Sequence, residues 1–212
     1  MTFGSEPDAD VRIGPVAVDA GGLPRFDIQS GENSATVELS VAGAHQALNA
    51  AAAVAAGQAL DVDFAALIAG IQTASGSRWR MEIHRGRFTV VNDAYNANPD
   101  SVEAAMRTVA EMPGRHLAVL GTMAELGPIE VAEHERMGRL AAALGFASVL
   151  TVGDEPGIAR AAGPIGRNVA TAEEAFDIVT RLAGDGDVVL VKASRAVGLE
   201  ELALRLAAEV AQ

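Results

Sequence analysis

The run Asn92-Asp93-Ala94-Tyr95-Asn96-Ala97-Asn98-Pro99-Asp100-Ser101 gathers carboxylates, carboxamides and a phenol in one short stretch. It follows an apolar, strand-like segment and opens a helical one, with Pro99 or Asp100 near the helix start and an Asp or Ser as cap. Such a loop can hold a polar ligand, or it can be a plain strand-to-helix connection capped by Asp100. Glu125 and the group Lys192, Ser194 and Arg195 stand after other apolar stretches. They could grip the charged ends of a ligand, Arg195 being the natural partner of a carboxylate, or form a structural ion pair at a sheet edge. Arg80 offers a planar, multi-donor guanidinium, or is a surface charge paired with Glu82. His45 and Asn49 are four apart and share one helical face. That is a polar pair on an Ala-rich helix, or simply a helix-start His and a solvent-facing Asn. His84, His116 and His134 look ordinary. Glu133-His134 lacks a second ligand at i+4, so no metal site is expected, and Glu130, Glu133 and Glu135 read as a solvated helix face.

Lys192 is the one lysine among 212 residues, and Val191 precedes it. A phosphate-binding loop of the type G-x-x-x-x-G-K-[ST] therefore cannot be assembled from this chain. Any phosphoryl chemistry must take its main phosphate clamp from elsewhere. The formal net charge of -12 argues against a nucleic-acid partner, which would need clustered cations to displace counterions. With no cysteine there is neither a disulfide framework nor a thiolate metal site. No apolar run nears the roughly 20 residues that span a bilayer, and residues 1–10 are unlike a signal peptide. A soluble cytoplasmic protein without a membrane partner, and a monomer, is expected.

The elements that must position these residues fall into two halves. Residues 11–41 are strand-like, with alternation over 36–41 and turns at Gly21-Gly22 and 30–33. An Ala-rich helix over 44–59 and a second over 63–73, capped by Asp61 or Asp63, complete this half. Residues 73–77 read as a linker, which gives domains over 1–76 and 77–212. Half of the chain is hydrophobic but only 4% is aromatic, so the cores must be built from aliphatic side chains. After the linker, strands are expected over 88–91, 117–120, 149–152 and 188–191, and helices over 101–111, 132–144, 173–182 and 199–210. That alternation predicts an α/β, Rossmann-like parallel sheet with helices on both faces. Ligands of such sheets bind at the carboxyl ends of the strands. Here those ends carry Asn92 to Tyr95, Gly121 to Met123, Gly153-Asp154 and Lys192 to Arg195. No G-x-G-x-x-G fingerprint supports a dinucleotide.

The string from Asp93 to Ser101 resembles a motif of the Mur ligase family, in the branch that adds D-alanyl-D-alanine to UDP-N-acetylmuramoyl-tripeptide. Four more segments agree in order: Gly43-Ala44-His45-Gln46-Ala47-Leu48-Asn49, Arg78-Trp79-Arg80-Met81-Glu82, Leu120-Gly121-Thr122-Met123-Ala124-Glu125-Leu126-Gly127, and Val191-Lys192-Ala193-Ser194-Arg195. The resemblance covers nearly the whole chain, from the strand-and-helix tail of the family's central ATPase domain through its C-terminal domain. It implies ATP- and Mg²⁺-dependent amide formation in peptidoglycan synthesis. The tripeptide carboxylate takes the γ-phosphoryl group, and the amine of D-alanyl-D-alanine then displaces phosphate from the acyl phosphate.

By the same resemblance Asn49 meets the adenine, with His45 at the metal or nucleotide edge, and Arg80 reaches the nucleotide phosphates. Catalytic roles thus fall on Arg80 and His45. Asp93 is the expected acceptor for the ribose hydroxyls, and Tyr95, Asn96 and Asn98 line the loop between nucleotide and dipeptide. Glu125, Lys192, Ser194 and Arg195 are expected around the dipeptide. Thr122 stands where the family usually has an acidic residue, and Ala193 where it has glycine, which removes one carboxylate and adds a methyl.

With its phosphate clamp absent, the chain is expected to be a fragment, inactive without the missing N-terminal half. A non-catalytic binding or interaction module derived from such a domain is the alternative, and the reading frame upstream of Met1 separates the two. A related amide ligase of folylpolyglutamate or cyanophycin type is the third reading, against which Tyr95 to Pro99 argues.

Overall fold

A computed structural model describes residues 1–154 and 157–210. It divides into two compact units, Met1–Gly76 and Ser77–Gln212.

In the first unit five strands come first: β1 (Phe3–Gly4), β2 (Val11–Ile13), β3 (Ala17–Val18), β4 (Pro24–Ser30) and β5 (Asn33–Glu38). Helices α1 (Gln46–Gln58) and α2 (Phe64–Thr73) follow. The sheet runs β1-β2-β4-β3, with β5 also on β4, and only β1 and β2 are parallel. Strict alternation along β4 buries Phe26 and Ile28 and exposes Arg25, Asp27 and Gln29, as a sheet with one covered face requires. The hairpin joining β4 and β5 turns at Gly31-Glu32, with Ser30 opposite Asn33. Gly31 supplies the left-handed φ of +57°. The buried sheet face packs with Ala47, Ala50, Ala51 and Val54 of α1. Asp63 caps α2 by accepting from the Ala66 amide, whereas Asp61 lies in the preceding turn at φ +59°. Strand β5 begins three residues before the expected 36 and ends at Glu38.

The second unit contains β6 (Glu82–Arg85), β7 (Thr89–Asn92), α3 (Pro99–Glu111), β8 (His116–Leu120), α4 (Glu130–Ala143), β9 (Ser148–Val152), α5 (Gly157–Ala161), β10 (Gly166–Val169), α6 (Ala172–Leu182), β11 (Val188–Lys192) and α7 (Glu200–Val210). The strand order is β10-β9-β8-β11-β7-β6. All neighbours are parallel except β6, which runs antiparallel to β7. The sheet is therefore mixed rather than purely parallel. Strands β6 and β10 and helix α5 were absent from the expected elements. Both strands lie at edges, and β10 buries only Val169 of its four residues. Neither has the unbroken apolar run of a strand covered on both faces. The central strand β11 does, with every residue buried.

Strand β11 lies between β7 and β8, although β7 and β8 are consecutive around α3. Helix α3 leaves β7 toward β8, while α7 leaves β11 and packs back on β7. The chain diverges there, and the carboxyl ends of β7, β11 and β8 lie side by side, at the place where sheets of this kind form their binding crevice.

At the opposite, amino end of the sheet, Asp187 accepts from Arg115 at 2.6 Å and from the Gly184 amide at 2.7 Å. These bonds tie the turn before β11 to the turn before β8. The Arg115 guanidinium, against the cost of burial, holds the Asp187 carboxyl below its ordinary range. A depressed carboxylate stabilises the fold above its unfolded-state pKa and loses that contribution as pH falls through the folded value. We therefore expect Asp187→Asn to cost about 1–3 kcal/mol near pH 7 and to flatten the acid limb of stability below about pH 4. Urea unfolding followed by the fluorescence of Trp79, the one tryptophan, measures both.

Candidate functional site

The register of the central strands decides what meets at the crevice. Val191 of β11 pairs with Asn92 of β7, which puts Lys192 beside Asp93. The Lys192 Nζ donates to Asp93 Oδ2 at 2.6 Å and to the Asn96 carbonyl at 2.8 Å. Lys192 is only 2% exposed. Burial pushes its ammonium pKa down, while Asp93 works against that shift and Arg80 adds to it. The second carboxylate oxygen of Asp93 accepts from the Met81 amide at 3.1 Å. Both oxygens are thus engaged inside the protein.

Ser194 extends this frame. Its Oγ donates to the Ala97 carbonyl at 3.2 Å and accepts from the Ala124 amide at 2.8 Å. Its own amide donates to the Thr122 carbonyl at 3.0 Å. One hydroxyl thereby joins the loops after β7, β8 and β11. Asp93, Lys192 and Ser194, expected as direct ligand contacts, are buried and internally bonded, so ligand contact competes with the bonds that hold the loops.

The exposed residues form a second layer. The segment before β6 carries left-handed φ values at Trp79 (+61°) and Met81 (+50°), conformations a non-glycine residue adopts at a cost. They are held because the Trp79 carbonyl accepts from the Tyr95 amide at 3.0 Å and the Met81 amide donates to Asp93. Between them Arg80 is thrown outward, and its guanidinium lies 4.3 Å from the centroid of the Tyr95 ring. Arg195 lies 5.5 Å from that ring and 5.1 Å from Trp79, and Arg78 lies 5.3 Å from Trp79. Three guanidinium groups thus converge on two aromatic rings, each within cation–π range. The Arg80 guanidinium sits on Tyr95 rather than as a simple partner of Glu82, whose carboxylate instead accepts from Asn92 at 3.4 Å.

The helix after the loop is capped by Asn98 rather than by Asp100 or Ser101 alone. Asn98 Oδ1 accepts from the Ser101 amide, Ser101 Oγ accepts from the Asn98 amide, and Pro99 occupies the first turn. This reciprocal box satisfies two donors that the helix start leaves free. Asn96 Oδ1 accepts from the Ala97 amide, and the residue is exposed. Glu125, also exposed, sits at φ +67° in the loop after β8.

The methyl of Ala193 is fully buried and lies where a Cβ on Gly121 would meet it at 2.7 Å. The departure from glycine at this position is thus a packing matter. Thr122 is half-buried beside it. His134, read as ordinary, is fully buried and bonds the Met123 amide at 2.8 Å. The signal for it was the helical spacing of the core-facing stripe His134, Met137, Gly138 and Ala141.

In the first unit, His45 is the residue before α1 and Asn49 lies in its first turn, both exposed. Gln46 links them, contacting the His45 ring at 3.2 Å and accepting from Asn49 at 2.9 Å. Among the described residues no three His, Cys, Asp or Glu side chains gather as metal ligands. No helix among the described residues is long and apolar enough to cross a membrane.

Residues 79–195 match the family described as Mur ligase, glutamate ligase domain. The UDP-N-acetylmuramoyl-tripeptide–D-alanyl-D-alanine ligase of Mycobacterium tuberculosis is 41% identical over 232 aligned positions, which cover 94% of this chain and 45% of that protein. The crystal structure of MurF from Acinetobacter baumannii superposes with a TM-score of 0.88 at 27% identity, over 98% of this chain and 46% of that one. MurF ligase from Thermotoga maritima, solved in complex with ADP, superposes at 0.82 with 25% identity over 99% and 48%. The chain spans about half the length of the relatives it matches.

Two outcomes test the frame. Asp93→Asn leaves a buried ammonium without its counter-charge and should cost about 3–5 kcal/mol, whereas adding Lys192→Met should recover part of that loss. Strict additivity in urea unfolding would show that the pair does not hold the crevice. Gly121→Ala should cost about 1–3 kcal/mol through overpacking, and Ala193→Gly in the same chain should relieve part of it, the contact with Val197 remaining.

Proposed function

Because this chain belongs to the Mur ligase family, we propose that it supplies the amine-side and nucleotide-facing part of a ligase that joins D-alanyl-D-alanine to UDP-N-acetylmuramoyl-tripeptide. In that reaction a carboxylate oxygen of the tripeptide bonds to the γ-phosphorus of ATP as ADP leaves. The dipeptide amine then bonds to the acyl carbon, giving up a proton as phosphate departs. The second unit is the C-terminal domain of such an enzyme, and the first is the end of its central ATPase domain. The phosphate clamp and the Mg²⁺ ligands come from a segment equivalent to the other half of the relatives. That segment is the partner this reading requires; the other partners are the two small-molecule substrates, with neither nucleic acid nor membrane. We infer a cytoplasmic, monomeric ligase.

The observation that carries this reading is the pair of guanidinium groups, Arg80 and Arg195, on the exposed ring of Tyr95. The ring lies beside the carboxyl ends of β7 and β11 in a protein of net charge -12. Fixed positive charge at the crevice suits anionic groups: phosphates at Arg80, the dipeptide carboxylate at Arg195. Glu125 is the group of opposite sign, fit for the dipeptide ammonium, and Asn96 and the side-chain amide nitrogen of Asn98 add hydrogen bonds. In the first unit Asn49 is assigned to the adenine and His45 to the nucleotide edge. Asp93 serves the ribose only through lone pairs that its internal bonds leave over. With Lys192 and Ser194 it acts chiefly by holding the loops.

The chain by itself should therefore show neither ATP hydrolysis nor ligation, yet D-alanyl-D-alanine should shift the amide resonances of Tyr95, Asn96, Glu125 and Arg195. Arg195→Ala should weaken that binding about tenfold or more, the scale of one charge-assisted pair. Turnover by the chain alone, or dipeptide binding indifferent to Arg195, would overturn the assignment.

A further inference from the structure

The loop after β8 is bonded residue by residue. The Gly121 amide donates to the Lys192 carbonyl, the Thr122 carbonyl accepts from the Ser194 amide, and the Ala124 amide donates to Ser194 Oγ. These three bonds come from the last residue of β11 and the segment that follows it. The Met123 amide is held from a different element, by His134 of α4.

The chemistry of that contact fixes the state of the ring. A backbone amide can only donate, so Nε2 of His134 is the acceptor of the Met123 N–H at 2.8 Å. A carbonyl can only accept, so Nδ1 carries the proton and donates to the Glu130 carbonyl at 2.7 Å. His134 and Met123 are both 0% exposed, so water cannot replace either partner. A buried amide left without an acceptor is costly. The consecutive amides of Met123 and Ala124 are therefore aimed by two side chains from two elements. The next residue, Glu125, is held at φ +67°, a value a glutamate adopts only where its surroundings impose it.

We propose that His134 is a positioning residue of the ligand site: its Nε2 fixes the Met123 peptide and thereby the loop conformation that presents Glu125 at the crevice. This rests on the reading of Glu125 as a ligand-facing group. The bond to Glu130 anchors the ring to its own helix, and the bond to Met123 passes that anchorage to the loop. The two nitrogens have separable tasks, and that separates positioning from mere filling of space.

The test uses the whole 212-residue chain and two variants. In His134→Gln the terminal amide reaches the place of Nε2 and keeps an acceptor for Met123. In His134→Asn the shorter amide reaches the place of Nδ1, keeps the bond to Glu130 and leaves the Met123 amide without a partner. Hydrogen exchange by NMR should show Met123 and Ala124 exchanging about tenfold or more faster in His134→Asn, with His134→Gln close to the parent. The amides of Val119 and Leu190 serve as the control for the sheet. D-alanyl-D-alanine affinity should fall in the same order. In the unaltered chain the ring-nitrogen shifts should report a neutral imidazole protonated at Nδ1, a readout that needs no variant to fold. Equal effects of the two variants, an unchanged Met123 amide in His134→Asn, or a proton on Nε2 would each overturn the proposal. If the exchange pattern holds and the dipeptide binds nowhere, the positioning of the loop stands and the ligand assignment falls.

Discussion

The buried ion pair between Lys192 and Asp93 is the constraint on which the crevice depends. Two charges are taken out of water at the point where the chain reverses its winding direction, and an isolated buried ammonium would be costly. That cost is offset only by a complete set of partners: one carboxylate oxygen of Asp93 and the Asn96 carbonyl for the ammonium, and the Met81 amide for the other oxygen. Asp93 and Asn96 lie on the loop after β7, and Met81 lies on the segment before β6. Satisfying one lysine therefore fixes the end of β11, the loop after β7 and the segment entering β6 together. The left-handed φ values at Trp79 and Met81 are tolerable because the same bonds hold them.

From this follows a division of labour among polar groups. Asp93, Lys192, Ser194 and His134 are buried and spend their hydrogen bonds on protein. Arg80, Tyr95, Asn96, Asn98, Glu125 and Arg195 are exposed and are held in place by backbone that the first group fixes. Rigid support beneath an exposed layer is how a site keeps its geometry between ligands, since a group already oriented loses little freedom on binding. The guanidinium groups are pre-arranged in a similar way, lying on aromatic rings instead of sweeping through solvent.

The alternation of apolar strands and amphipathic helices was legible along the second half of the chain, because central strands covered on both faces must be continuous apolar runs. Val188 to Val191 is the clearest case. The edge strands β6 and β10 were not legible. An edge strand buries little, so Glu82 to Arg85 and Gly166 to Val169 can be polar without penalty. The loop from Asn92 to Ser101 stood out by composition, yet its helix cap proved to be Asn98. Capping depends on which oxygen reaches the free amides, and neighbouring Asx and Ser residues compete for that place.

By itself the sequence determined the family, the order of most elements, and the set of polar residues gathered at strand ends. It also ruled out a phosphate-binding loop, because one lysine preceded by valine cannot be rearranged into one. Only the tertiary structure decided which of those polar residues hold the crevice and which face outward. Lys192 and Asp93 are 99 positions apart, and Ser194 and Ala124 are 70 apart. Whether such groups meet depends on the register of β11 between its two neighbours. Residue type sets what a side chain can bond, but register and burial set whether water or protein is there to bond it.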